Sequence, residues 1–372
     1  MAGTNRKNKR TKPMKNLFKA SLLSIAVASL ALCGCGDKDA KASGSAAQAQ
    51  SQSQEAKADS GDKKAQVVIR LGHTSNKGEP FYAGVEKWKE LVEQRSNGAI
   101  KIELYPSSQL GNKEDLLDQL VQGEPICTLA DGAYFYDRGV KDFGIIFGPY
   151  LFDNWDQAYK LYRSSWYQEQ SRKLEEKAGI KIVASNWRFG VRQTLSRKPI
   201  RSLADFKGLK IRVPTNIIQL KGEEVLGATP TPMALSEVYT GLQQGTIDAV
   251  ENPVALLYYG KFHEVAKYLL LDAHVYNITN LVVGSKFFDK LTPEQQKLLT
   301  DTCYEAGEYQ NKLSEESDTA LLKKMEEEGV TITTPDDAFK KELVETSRKF
   351  YTLPDFKDWT PGLYETVKKE MQ

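Results

Sequence analysis

The residues predict an α/β fold with mainly parallel sheet, large enough for two domains and bound together by one very long helix. Three observations predict it. From residue 66 onward, short apolar or alternating runs take turns with runs of helical periodicity. The chain has 372 residues, 40% of them apolar and 27% charged. That is an ordinary globular mix, in a chain longer than the about 250–300 residues at which single cores stop growing. Last, a helical pattern runs from Pro293 toward Gly329 with Gly307 as its one interior glycine, about 36 residues or about 54 Å.

The elements follow in order. Val67-Val68-Ile69-Arg70-Leu71 reads as a buried strand. Pro80 opens a helix with Phe81, Val85, Trp88 and Val92 on one face, and Asn97-Gly98 ends it. Ile100, Ile102 and Leu104 alternate as a half-buried strand. Leu116, Leu117, Leu120 and Val121 mark a helix closed by Gly123, and residues 126–130 are again a strand. Later strands are read at 181–185, 208–213, 247–250 and 278–283. No internal repeat is visible. Thr292-Pro293-Glu294-Gln295 is a capping box with Pro at the first helical position. The pattern after it is either two helices broken near Gly307 or one bent helix that crosses between domains. The second is the expectation.

Residues 1–19 hold seven basic residues and no acid, and the stretch from Ala20 to Cys33 is almost wholly apolar. This is the layout of an export signal, too short for a membrane span of roughly 20 residues. Met14 begins a compact signal of its own, so translation starts at Met1 or Met14. Leu32-Cys33-Gly34-Cys35 resembles a bacterial lipobox, with Cys35 as the lipid-bearing residue; the plainer alternative is an ordinary secreted protein. Residues 36–65 contain no apolar side chain larger than Ala. Such a segment cannot offset its ordering entropy and is expected to be a flexible tether of about 30 Å r.m.s. length. The expected organisation is a signal peptide over 1–34, a lipid-anchored linker over 35–65, and a body outside the cytoplasm. That body sits in a periplasm or on the outer face of the cell membrane. The formal charge of +2 belongs to the signal: without residues 1–34, 44 basic residues face 49 acidic ones, about −5.

Composition narrows the function. A net charge this small gives no whole-chain case for nucleic acid. Four Cys exclude a disulfide-built scaffold, three His leave little for a His-rich metal site, and a mean hydropathy of −0.48 excludes a polytopic membrane protein. Dinucleotide, P-loop, serine-hydrolase, zinc-protease and EF-hand motifs are all missing. His263-Glu264-Val265-Ala266-Lys267 comes nearest and lacks the second His. Cys127 and Cys303 read as core residues, with pairing in an oxidising compartment left open. The expectation is no enzyme, no cofactor and no metal.

In open α/β sheets, ligands gather at the carboxyl ends of strands. That rule selects His73, just past the first strand, and Arg212, next to Pro214 at the end of Leu209-Lys210-Ile211-Arg212-Val213. Arg192 lies in a second short extended segment. Either both Arg are solvated surface residues, or their forks face a carboxylate, which they match bidentately.

Several stretches together carry a family resemblance. They are Leu104-Tyr105-Pro106-Ser107-Ser108-Gln109-Leu110-Gly111, Arg192-Gln193-Thr194, Lys198-Pro199-Ile200, the run from Leu203 to Pro214, and Leu226-Gly227-Ala228-Thr229-Pro230. Ser236-Glu237-Val238-Tyr239, Gln244-Gly245-Thr246-Ile247-Asp248 and Glu251-Asn252-Pro253 follow. In order and spacing the chain resembles, over 66–372, the substrate-binding proteins of tripartite ATP-independent periplasmic (TRAP) transporters, the DctP-like family. The resemblance implies a two-lobed periplasmic-binding-protein-like fold with a hinge and a long helix spanning both lobes. Lobe I would take 66–188 plus 276–318, and lobe II 189–275 plus 319–372. It implies that Arg212 pairs with the carboxylate of a small organic acid, helped by Arg192 and Asn252, and that closure is read by a TRAP permease. The partners so implied are that acid, the permease subunits and the membrane through the lipid anchor, with the protein itself a monomer.

Sialic-acid binders of the family share Arg-Gln-Thr, but this chain has Tyr134 where they use Arg, Leu235 where they stack an aromatic ring, and Asp131 for their Glu. A smaller acid fits better: a dicarboxylate, a keto acid or a sugar acid. Asp131 leans toward a hydroxylated monocarboxylate, unless it is a solvated loop acid. Thr74, Trp187 and Tyr134 are further wall candidates, each with core packing as its alternative. Two other classes compete: a ligand-sensing subunit for a signalling receptor, and a secreted hydrolase, against which the missing catalytic motifs weigh.

Overall fold

A computed structural model describes residues 66–372, so the expected export signal, the expected lipid site at Cys35 and the expected linker over 35–65 lie outside the described residues. The body is a single mixed sheet with helices packed on it. Its strands are β1 (Val67–Gly72), β2 (Ile100–Tyr105), β3 (Ile126–Ala130), β4 (Ile180–Ser196), β5 (Lys210–Val213), β6 (Thr229–Pro232), β7 (Ala249–Pro253), β8 (Tyr268–Gly284) and β9 (Thr331–Thr333). They lie in the order β2-β1-β3-β8-β4-β7-β5-β6, and β9 pairs with β8. β1 is parallel to β2 and β3, β5 to β6 and β7, and β8 to β9. The three pairings at the centre, β3 with β8, β8 with β4 and β4 with β7, are antiparallel.

The two central strands explain the two lobes. β4 and β8 are 17 residues each and pair along their length, from Ile180 opposite Gly284 to Ser196 opposite Tyr268. One end of this ribbon carries β3, at Leu281 and its neighbours. The other carries β7, at residues 192–196. Four register shifts interrupt the ribbon between Ile182 and Thr194, and each such bulge bends a strand and adds twist. The sequence reading found only 181–185 and 278–283 of these strands. The rest was hidden because the bulges break the period of two, and because Gln193, Thr194, Asp272, His274 and Asn277 are polar yet buried.

Each half has its own core. Ile69, Leu71, Trp88, Leu129, Val183, Cys303 and Ala306 pack around β1 and β3. Leu195, Val250, Leu256, Leu269, Leu321 and Met325 pack around β7. The long helix supplies residues to both. It runs unbroken from Pro293 to Glu327, 35 residues, about 52 Å at 1.5 Å per residue. Its start is fixed by the Thr292 hydroxyl, which accepts from Gln295 N while the Gln295 side chain accepts from Thr292 N. Gly307 does not break it. A Cβ there would stand 2.5 Å from Asn186 Oδ1 and 2.8 Å from Trp187 Nε1, so the glycine lets the helix lie directly on β4.

The C-terminal segment turns back. Phe350, Phe356, Trp359, Leu363 and Val367 pack with Phe143, Leu161 and Ile180, and the Phe356 and Trp359 rings stack at 4.4 Å. Residues 350–367 therefore pack with residues of the half that contains β3. Cys127 and Cys303 are free buried thiols. Among the described residues no helix is long and apolar enough to cross a membrane.

Candidate functional site

A cleft opens where the two halves of the sheet meet, and strand ends supply most of its walls. From the β1–β3 half come Thr74, Ser108, Lys113, Asp131 and Tyr134; from the β5–β7 half come Arg212, Leu235 and Asn252. Phe189 and Arg192 on β4, with Asn277 and Thr279 on β8, lie between them. Asp131 directly follows β3, and Arg212 is the penultimate residue of β5. The chain after β2 bends sharply to reach the cleft: Ser107 and Ser108 both take left-handed backbone, at φ 51° and 60°. Their amides donate to the Ser75 and His73 carbonyls at 3.1 and 2.9 Å, which holds this costly turn in place.

Arg212 is 4% exposed. Its Nε donates to the Met233 carbonyl at 2.9 Å, and among the described residues it makes no ion pair. Burial pulls its pKa down to about 10, so it is still a cation at neutral pH. Two guanidinium nitrogens are left for the cleft. The Asn252 amide also has no side-chain partner among the described residues.

Arg192 is equally buried and differently used. Its Nε and Nη2 grip both oxygens of Glu251, the second at 2.7 Å; Nη2 also donates to the Glu251 carbonyl at 3.0 Å and Nη1 to Asn277 Oδ1 at 3.2 Å. Glu251 meets Gln219 Nε2 at 3.3 Å and His274 Nε2 at 3.2 Å. His274 Nδ1 lies 3.1 Å from Asp272 Oδ2, and Asp272 accepts from the Thr194 hydroxyl at 2.8 Å. Burial would raise the Glu251 carboxyl, but Arg192 and His274 outweigh it and hold it at about 2. Burial would lower His274, but Asp272 and Glu251 raise it to about 10. Arg192, Glu251 and His274 are thus all charged at neutral pH.

Of the residues the sequence singles out, the structure brings Arg212, Arg192, Asn252, Asp131, Tyr134, Thr74 and Leu235 to this cleft. It does not bring His73 or Trp187. His73 is 2% exposed, with its ring set edge-on to Phe81 and Tyr82 at 5.6 and 5.8 Å. Burial lowers its pKa to about 4, so it is neutral; the contact it offers the site is its backbone carbonyl. Trp187 is fully buried, donates Nε1–H to the Cys303 carbonyl at 3.2 Å and packs on Phe81 at 5.3 Å. Core packing, the alternative kept open for it, describes its position.

Sequence reasoning missed Lys113, Gln219, Asn277 and Glu251 as members of this constellation. Glu251 and Ser108 stood inside quoted motifs, and a signal existed there: an acid one strand away from Arg192. Gln219 and Asn277 carried none, because only the fold brings them near.

Residues 71–354 match the family model described as bacterial extracellular solute-binding protein, family 7, DctP. The 2,3-diketo-L-gulonate-binding periplasmic protein YiaO of Escherichia coli is 34% identical, over 72% of this chain and 80% of its own length. A TRAP periplasmic solute-binding protein from Ochrobacterium anthropi, solved with bound L-fuconate, is 43% identical with a TM-score of 0.79, covering 83% of this chain and all of that one. Another, from Actinobacillus succinogenes with bound L-galactonate, is 35% identical with a TM-score of 0.77, over 82% and 99% of the two chains. The family consists of periplasmic binding subunits rather than enzymes. The chain belongs to the DctP family of extracellular solute-binding proteins, the two-lobed binding subunits of TRAP transporters.

Proposed function

We propose that this protein captures a sugar acid of the aldonate type in the cleft and delivers it to a TRAP permease. The observation that carries the reading is Arg212: a buried guanidinium with no carboxylate among the described residues to meet it. A ligand carboxylate supplies that partner through two parallel N–H···O bonds. Asn252 stands beside it, while Arg192, already held by Glu251, fixes Asn277 and adds field rather than a free fork. Leu235 and Tyr134 form apolar wall, and Thr74 and Asp131 offer partners to hydroxyls. The ligands of the relatives, L-fuconate and L-galactonate, are acids of this kind.

The two lobes are as read from the sequence, 66–188 with 276–318 and 189–275 with 319–372, except that we place 350–372 with lobe I because of its packing. A monomer held to the membrane by lipid on Cys35 completes the reading, on the strength of the Leu32-Cys33-Gly34-Cys35 run. Cys35→Ala is expected to move the protein from the membrane fraction to the soluble one; an unchanged distribution contradicts the anchor.

A thermal-shift panel of aldonates, dicarboxylates, keto acids and neutral sugars tests the function. An aldonate at 100 times its Kd stabilises the fold by about 2.7 kcal/mol. A shift produced only by neutral sugars contradicts the reading.

A further inference from the structure

Lys113 is a cation of the cleft wall with no ion pair among the described residues. It is the first residue of the helix Lys113–Gln122, where a cation opposes the positive end of the helix dipole. Glu114 and Asp115, the residue types this turn favours, follow it. The Lys113 ammonium lies 4.3 Å from the centre of the Tyr134 ring. Among the described residues it has neither a hydrogen-bond acceptor nor an ion-pair partner, although it lines the cleft. Such a break with local preference calls for a gain elsewhere.

Asp131 lines the same wall. Its Oδ1 accepts from Ala133 N at 3.1 Å and caps the following helix; Oδ2 has no partner among the described residues. Burial lowers the Lys113 ammonium and raises the Asp131 carboxyl, and each group partly offsets the other's shift. Both stand on the β1–β3 half, across the cleft from Arg212 and Asn252.

A hydroxyl donates one hydrogen bond and accepts others. A carboxylate and an ammonium on one wall satisfy both capacities, on one hydroxyl or on neighbouring ones along a chain. A hydrocarbon tail would leave both charges desolvated without partners. A second carboxylate would be drawn to Lys113 and repelled by Asp131. We propose that Lys113 is a ligand-contacting specificity residue that forms, with Asp131, the receptor for the hydroxylated tail of the acid whose carboxylate Arg212 holds. This rests on the function proposed above.

Titration calorimetry on the mature chain tests it, with L-galactonate and with glycerate, which keeps the carboxylate and α-hydroxyl but lacks the tail. Lys113→Met preserves the stem that covers Tyr134. It is expected to weaken L-galactonate about tenfold or more, as loss of a charged hydrogen bond does, and glycerate by less than about threefold. Should the Met variant fail to fold, Lys113→Gln is read against the same two thresholds. L-Galactonate binding that stays within about threefold of wild type, or a loss on glycerate as large as that on L-galactonate, overturns the proposal. A wild-type protein that binds no aldonate overturns the functional reading and this proposal together; a wild type that binds L-galactonate as tightly as the variant does overturns this proposal alone.

Discussion

Arg212 and Arg192 are buried to the same degree, 4% exposed, yet only Arg192 has its charge met inside the protein. That difference assigns their work. Arg212 waits for an anion, and Arg192 anchors a buried chain that runs behind the cleft to His274 and Asp272. The chain should leave a pH signature. His274 has its pKa raised from 6.5 to about 10, so the folded protein holds this proton more tightly than the unfolded one. The stabilisation is therefore complete below pH 6.5 and disappears as the pH rises toward 10. His274→Gln removes it. The melting-temperature gap between wild type and His274→Gln should be constant at pH 5–6 and shrink steadily to pH 9.5; a gap that widens with pH contradicts the assignment.

At the level of elements, the long helix shows what a sequence can and cannot disclose. Its start was legible in Thr292-Pro293-Glu294-Gln295, and its length in the uninterrupted helical pattern. Gly307 was ambiguous, since a glycine in a helix marks either a break or a close approach. The structure resolves it as a close approach to Asn186 and Trp187. Gly307→Val should therefore cost about 1–3 kcal/mol through overpacking, read as a lower urea midpoint; an unchanged midpoint contradicts this packing. The strands were legible where they alternate or are wholly apolar, as in β1 and β3. They were only partly legible in β4 and β8, where bulges and buried polar residues hide the full 17-residue length of each strand. The cleft was half legible for the same reason. Arg212 follows from a strand end, and Asn252, Asp131 and Leu235 from the family resemblance. Trp187 was a wall candidate with core packing as its alternative, and its side chain packs against the long helix. Lys113 and Gln219 lie in the first turns of helices whose orientation toward the cleft only the assembled sheet defines.

For the whole molecule, the two walls of the cleft come from opposite ends of a bulged two-stranded ribbon. A ligand that touches Arg212 on one wall and Asp131 on the other ties them together, so binding and closure share one free energy. Residues 35–372 carry about −5 by formal charge, so an acid gains nothing from the overall field of this part of the chain. Capture depends on placed cations, and Arg212 is the one whose planar fork matches a carboxylate bidentately while it has no ion-pair partner among the described residues. Titration calorimetry of wild type and Arg212→Ala, with the aldonate that binds best, tests this most directly. The account predicts a loss of about 2–5 kcal/mol in binding with the fold intact; an affinity equal to that of the wild type would contradict it.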